Sequence, residues 1–414
     1  MSSQPSSSGS SRGWVVAFSG TGVNLALGVL YTWSVISKNI PKEWNWSEAY
    51  RAWPFTIACL VFAVMMVPAG KLQDKFGPRI VASIGGVLTG LGMILTSPFT
   101  NITMFIVGFG ILAGSGFGFG YASATPPAVK WFPPAKTGMI AGIVVSGFGL
   151  ASVYISPLAT FLIHKYGVQS TMLILGIAFL IVVVALSQLL VNPPAAHQAA
   201  AAKAGGAVVA RDYSGSEMLK TRRFYILWVM YAFNAGAGLM IIGKLAKLVE
   251  VQTASQAGFI LVALLAIGNA GGRLLAGTLS DKLGRIRVLQ CFTAFQAVLM
   301  FLTPAMSDLY VLVVISMCIG MNYGSNLSLF PTITKESFGI KNLGVNYGLV
   351  FTAWGVGSLM ALIAGRIYDA YGRFDYALYI SGCLLIVTLL LSSLYTHLEA
   401  KRMAEVALKA GAAA

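Results

Sequence analysis

The sequence predicts an all-α polytopic membrane protein, with twelve transmembrane helices in two pseudo-symmetric six-helix bundles. Three observations predict it. The chain is 57% hydrophobic and only 10% charged, with a mean hydropathy of +0.78, so as a soluble protein it would expose far too much apolar surface. Apolar stretches of the roughly 20 residues needed to cross a hydrocarbon core recur twelve times. Finally, the loops of the second half repeat those of the first.

In chain order, the Ser-rich start lacks the charged, apolar and cleavage regions of a secretory signal. Residues 1–13 therefore read as a disordered tail. The first bundle, 14–191, holds apolar spans at 14–37, 53–73, 79–99, 103–129, 137–164 and 169–191. Its fourth span carries Gly108, Gly110, Gly114, Gly116, Gly118 and Gly120, spacings that let helix backbones approach closely. Pro126-Pro127 at its end also allows a bending helix. A linker over 192–221, with Pro193-Pro194, an Ala-rich tract and basic residues, reads as flexible, with room for a short surface helix. The second bundle, 222–397, holds spans at 222–247, 255–280, 287–306, 309–335, 343–368 and 375–397, before a tail at 398–414.

A formal charge of +15 invites a nucleic-acid reading, but the basic residues are scattered through short loops. Placing both termini and the even-to-odd connections on one side gathers most of the 28 Lys and Arg there. Positive loops favour the cytoplasm, so both termini are expected to be cytoplasmic. Short loops and small termini suit a bacterial inner membrane, and the functional unit is expected to be a monomer. Nucleic acid is not an expected partner.

Cys59, Cys291, Cys318 and Cys383 all fall in predicted spans and read as small packing residues. His164, His197 and His397 are too dispersed for a metal motif. No cofactor, metal or nucleophile arrangement is indicated, which disfavours a membrane enzyme. A carboxylate receptor on the same scaffold would lack an obvious signalling domain.

The loop Gly70-Lys71-Leu72-Gln73-Asp74-Lys75-Phe76-Gly77-Pro78-Arg79 returns as Gly277-Thr278-Leu279-Ser280-Asp281-Lys282-Leu283-Gly284-Arg285. Pro126, Lys130 and Gly138 return as Pro331, Lys335 and, one place displaced, Gly344; Tyr166-Gly167 returns as Tyr371-Gly372. Six helices repeated in one orientation make parallel halves related by an axis along the membrane normal.

The twice-matched Gly-x-Leu-x-Asp-Lys-x-Gly loop resembles the signature of the major facilitator superfamily, over essentially the whole chain. Within it, Lys130-Trp131-Phe132-Pro133 with Lys136, Gly138, Ala141 and Gly142 resembles the oxalate:formate antiporters and monocarboxylate transporters, and most of all a bacterial lactate transporter. Tyr31-Thr32-Trp33, Leu329-Phe330-Pro331 and Asn346-Tyr347-Gly348 carry the same resemblance.

The repeated loops are expected to gate. Asp74, Lys75 and Arg79, and Asp281, Lys282 and Arg285, lie where carboxylates can hold neighbouring helix ends by charge and helix-dipole contacts. The resemblance implies that this latch stabilises the outward-open state; a solvated turn obeying the positive-inside bias is the alternative.

Arg273 stands inside the apolar stretch Ile260–Leu279, and no acidic residue lies near the middle of any span to partner it. A guanidinium there costs roughly 2.5 to 3.5 kcal/mol on the insertion scale, so it is expected to face a cavity and take a carboxylate from outside. Asn269 is one turn away, on the same face. Tyr31, Tyr121 and Tyr323 lie at similar depth and can donate to the same anion, although each also reads as a packing aromatic. Leu27 and Leu30 would surround a short aliphatic tail, with Phe351 and Trp354 nearby.

The resemblance identifies Arg273 with the substrate-binding arginine of both transporter groups. It also exposes two departures. Where the antiporters carry a lysine in the eleventh span this chain has Trp354, and one central charge suits a monocarboxylate better than oxalate. Where animal monocarboxylate transporters carry a proton-linked acid, it has Asn269, which cannot titrate, and no lysine occurs in the first span between Trp14 and Ile36. The expectation is a transporter of lactate- or pyruvate-like monocarboxylates, coupled to protons by family. Anion exchange is the alternative.

Overall fold

The structure, a computed structural model, describes residues 7–132, 137–194, 212–339 and 342–411. It is helical, with no strand among the described residues. The apolar helices are α1 (Ser11–Lys38), α2 (Glu48–Phe76), α3 (Pro78–Thr96), α4 (Ile102–Lys130), α5 and α6 (137–166 and 168–187), α7 (Arg222–Thr253), α8 (Gly258–Leu283), α9 (Arg285–Leu302), α10 (Leu309–Phe338), α11 (Leu343–Tyr371) and α12 (Asp375–Gly411). Non-helical Gly167 alone separates α5 from α6. The expected twelve spans are therefore present. They form two sets of six that meet along α2–α11 and α5–α8.

The repeated glycines have a backbone cause. Gly77 and Gly284 hold φ at +83° and +90°, and Gly167 and Gly372 at +80° and +70°. Nothing lies within 4 Å of where a Cβ would stand on any of them. Left-handed backbone, which L side chains resist, is what requires glycine at these four turns.

The α4 glycines answer to packing instead. A Cβ on Gly108 or Gly116 would stand 2.5 Å from a carbonyl oxygen of α3, on Gly92 and Gly85 respectively. Gly114 and Gly118 press on the Ala58 and Phe62 carbonyls of α2, and Gly120 on Leu27 of α1. Close approach is the main reason for the glycines. The helix is also irregular, widening to a π-helical segment over Ile106–Ala113.

Several boundaries differ from expectation. The tail expected over 1–13 is helical from Ser7, and the tail expected from 398 continues α12 to Gly411. The linker contains a five-residue helix, Gly215–Leu219, closed by a Ser214–Glu217 capping box. α2 begins at Glu48, capped by Ser47, rather than at 53. That earlier start brings an acidic residue into a spanning helix. Cys291 and Cys383 are exposed on the helix surface and do not pack internally, unlike buried Cys59.

Candidate functional site

Arg273 is placed by the packing of α8 on α10. Gly268 and Gly272 press against the Met317 and Met321 carbonyls, and Gly320 and Gly324 against those of Leu265 and Asn269, distances that leave no room for a Cβ. Ser328 Oγ donates to the Arg273 carbonyl at 2.8 Å. With its backbone so fixed, the side chain reaches toward the other half. Its Nη1 donates to the Val145 carbonyl of α5 at 2.7 Å, and its Nε to Asn269 Oδ1 at 3.2 Å.

Arg273 is 5% exposed. No acidic side chain pairs with it among the described residues. Two buried donors remain unused, Nη2 of Arg273 and Nδ2 of Asn269. A Cβ on Gly149 of α5 would stand 3.3 Å from the first and 3.4 Å from the second, so both border the same small space. An orphaned buried donor costs about 1–3 kcal/mol, more when charged. An anion entering this space would recover that cost.

Beside this pair the two halves share an aromatic cluster. The Tyr31 and Tyr323 hydroxyls meet at 2.7 Å, and the Trp354 indole N–H donates to Tyr323 at 2.6 Å. Trp354 stacks on Phe351 at 4.9 Å, and Phe62 of α2 touches both rings. Phe148 of α5 stands edge-on to Tyr31 and Tyr121. Tyr121 is half-buried with its hydroxyl within hydrogen-bonding reach of the Arg273 guanidinium, and Tyr31 and Tyr347 lie within electrostatic reach of it. Tyr31 lies in a 3-10 segment, Gly28–Thr32, that interrupts α1 where Gly28 is pressed on the Phe148 carbonyl. Such mid-helix tightening often marks a hinge.

The sequence-derived residues thus separate into groups. Arg273, Asn269, Tyr31, Tyr121, Tyr323, Phe351 and Trp354 come together. Leu27 packs on Gly120 inside the first half, and Leu30 is fully buried in the core.

Of the gating residues, Arg285 ties three helix ends together. It bonds Asp281 at 2.6 Å, Glu336 of α10 at 2.9 Å and Ser280 Oγ at 2.6 Å. Glu336 was not foreseen as part of it. Lys282, Lys75 and Arg79 are exposed, Lys75 over the Phe76 ring. The Asp74 side chain lies outside the described residues, as do Pro133–Lys136 of the motif after α4.

A second buried cation escaped the sequence reading. Lys244 of α7 is 3% exposed, and its Nζ bonds the Glu48 carbonyl at 2.6 Å and its carboxylate at 2.9 Å. Arg51 lies 3.4 Å from the same carboxylate, and Asp369 of α11 accepts from the Glu48 and Ala49 backbone N–H groups at 2.7 and 2.9 Å. A lysine in an apolar span carries the same signal that singled out Arg273. Here it has an acid, because α2 begins early. Apart from the Arg51–Glu48 pair within α2, these contacts join the halves at the face opposite the linker. The polar bonds between halves among the described residues lie there or at the centre, and none lies at the linker face. The molecule is closed at the far face.

Other motif residues are structural. Asn346 and Asn342 both donate to the Tyr213 carbonyl, anchoring the linker's end, and Phe330 stacks on Tyr231 at 4.0 Å. Trp131 donates to the Val191 carbonyl, joining the ends of α4 and α6.

This architecture has known relatives. A 30% identical protein, an uncharacterized MFS-type transporter of Escherichia coli (strain K12), aligns over 356 residues, 84% of this chain and 86% of its own. The oxalate:formate antiporter of Oxalobacter formigenes is 26% identical over 80% of this chain and 79% of its own. Monocarboxylate transporter 13 of Bos taurus is 25% identical over 90% and 87%. The Major Facilitator Superfamily model matches twice, over residues 14–253 and 245–412. With its duplicated six-helix halves and two copies of the signature loop, the chain is a multi-pass membrane transporter and belongs to the major facilitator superfamily.

Proposed function

We infer that the protein is a secondary active transporter of short monocarboxylates, of lactate or pyruvate size, with Arg273 and Asn269 as its anion site. One observation carries this reading: two adjacent buried donors without partners, Nη2 of an arginine that has no acid and Nδ2 of Asn269, between the halves of a transporter. Arg273 offers the planar fork that grips a carboxylate. Tyr121 and the Tyr31–Tyr323 pair supply hydroxyls beside it. The other buried cations, Lys244 and Arg223, are already paired with Glu48 and Glu399, so one net positive charge faces the ligand. That favours a monocarboxylate over a dicarboxylate, and the relatives named for oxalate:formate and monocarboxylate transport support the class.

Transport would proceed by rocking of the halves about this site. A bound carboxylate neutralises Arg273 and lowers the cost of excluding water from it. The loaded carrier therefore reorients more readily than the empty one. With both termini on the basic, cytoplasmic side, the far face held by Lys244 and Glu48 is external. Arg285, Asp281 and Glu336 all belong to the second half, so their network would hold the cytoplasmic helix ends of that half together. Proton symport accounts for electroneutral movement of a monocarboxylate, with the functional unit a monomer.

The test is radiolabelled lactate uptake into proteoliposomes with an imposed pH gradient, comparing the parent with Arg273→Lys. Gradient-driven uptake lost in the variant is expected. Uptake that requires internal carboxylate and ignores the gradient would instead support anion exchange. Full activity in Arg273→Lys would remove the bidentate role.

A further inference from the structure

We propose that a recess between α1, α3 and α6 at the linker face binds one anionic phospholipid. The recess has a volume of about 480 Å³ and is walled by Arg12 of α1, Arg79 of α3, and Gln188 just after α6, with apolar Val15, Leu189 and Val191. Among the described residues, two guanidinium groups and no carboxylate line it, with Ser11 completing the wall. Neither arginine makes an ion pair among the described residues, and Arg79 lies exposed at the mouth.

The recess continues into a groove. Arg79 and Gln188 also border a second cavity of about 360 Å³, whose remaining wall is Ile80, Ser83, Ile84, Val87 and Leu88. Residues 80, 84, 87 and 88 fall on one face of α3. Ile80, Ile84 and Val87 are 51%, 40% and 37% exposed. Gln188 Nε2 donates to Ser83 Oγ at 3.0 Å, and Ser83 meets Ser187 at 2.8 Å, so the polar seam between α3 and α6 is satisfied internally. Below it the groove offers only hydrocarbon.

The dimensions fit one leaflet. From Arg79 to Leu88 the helix rises about 13 Å, at 1.5 Å per residue. Half of a hydrocarbon core of about 30 Å is about 15 Å. A headgroup phosphate between Arg12 and Arg79 would therefore let an acyl chain follow α3 to near the bilayer midplane. Free phosphate would use the arginines and leave the groove empty. A zwitterionic lipid would use the groove but bring a cation to the two arginines. The charge and the groove together select an anionic phospholipid, which would tie α1 to α3 at the linker face.

The test uses the full chain in phosphatidylcholine vesicles containing a trace of phosphatidylglycerol with a photoreactive diazirine near its acyl terminus. Adducts are expected on residues 80–88. Unlabelled phosphatidylglycerol should displace them, whereas phosphatidylcholine and millimolar inorganic phosphate should not. The Arg12→Gln/Arg79→Gln double variant should reduce adduct yield roughly tenfold to thirtyfold, given about fivefold per basic residue near the surface. Arg12→Lys/Arg79→Lys, which keeps the charge, should retain most of it. The proposal is overturned by adducts spread over other helices, by equal yield from a phosphatidylcholine probe or from the Gln variant, or by displacement with inorganic phosphate, which would mark a free-anion site.

Discussion

Arg273 and Asn269 share one hydrogen bond, Nε to Oδ1 at 3.2 Å, and each keeps a buried donor with no acceptor. Replacing Arg273 with Lys keeps the charge but removes the fork. Charge-assisted hydrogen bonds contribute about 1.5–3 kcal/mol each, so lactate binding by purified protein should weaken roughly tenfold to a hundredfold. Asn269→Ala should weaken it less, since Nδ2 is neutral. Calorimetric titration separates the two; equal affinities across parent and variants would sink the assignment.

Gly149 borders both donors from α5. A Cβ there is only slightly tight, at 3.3 Å from Nη2, but a Val side chain would fill the space the carboxylate needs. Gly149→Val should raise the KM for lactate at least tenfold, and Gly149→Ala by a few-fold, while thermal stability moves little. A KM unchanged in Gly149→Val would place the ligand elsewhere.

The Tyr31–Tyr323–Trp354 chain makes an ordered prediction. Tyr323→Phe strands both the Trp354 indole N–H and the Tyr31 hydroxyl, whereas Tyr31→Phe strands only the Tyr323 hydroxyl. Each stranded buried group costs about 1–3 kcal/mol. Tyr323→Phe should therefore lower the melting temperature and turnover more than Tyr31→Phe. The reverse order in a side-by-side thermal melt and uptake series would contradict the hydrogen-bond chain.

At the far face, Glu48→Gln leaves Lys244 buried without its carboxylate partner. Breaking a buried pair from one side costs about 3–5 kcal/mol, and here much of it would be relieved by opening. A cysteine placed at Thr56, whose hydroxyl bonds the Ser358 carbonyl across the halves, should become several-fold more reactive to an impermeant maleimide. Glu48→Gln/Lys244→Met, which removes both charges, should return reactivity toward the parent. Unchanged labelling in the single variant would show that the pair does not hold the halves together.

Arg285 sits in a more exposed network, since Asp281 and Glu336 are 65% and 56% exposed. Exposed pairs contribute about 0–1 kcal/mol. Glu336→Gln should change turnover by no more than about fivefold, with the difference fading at high salt and lactate affinity preserved. A large loss of affinity would mean that these residues do more than latch helix ends.

Much of this was legible in the sequence because it depends on local chemistry. Twelve apolar runs are twelve helices, since a bilayer leaves no other way to satisfy the backbone. The repeated turn glycines were visible because positive φ excludes other residues whatever surrounds them. Arg273 stood out because an unpaired charge in an apolar span is costly, and Asn269 because helical periodicity puts it on the same face.

What the tertiary structure decided was which distant groups meet. It drew Glu48 to Lys244 over 196 positions and Tyr31 to Tyr323 over 292, pairings that no local pattern encodes. It packed Leu27 against Gly120 of α4, a contact between helices of the first half. It brought Gly149 and the Val145 carbonyl to Arg273, through backbone positions that carry no chemical signature. Hydrophobicity and φ preferences belong to single residues and are read along the chain; a binding site depends on helix crossings, which only the packed halves determine.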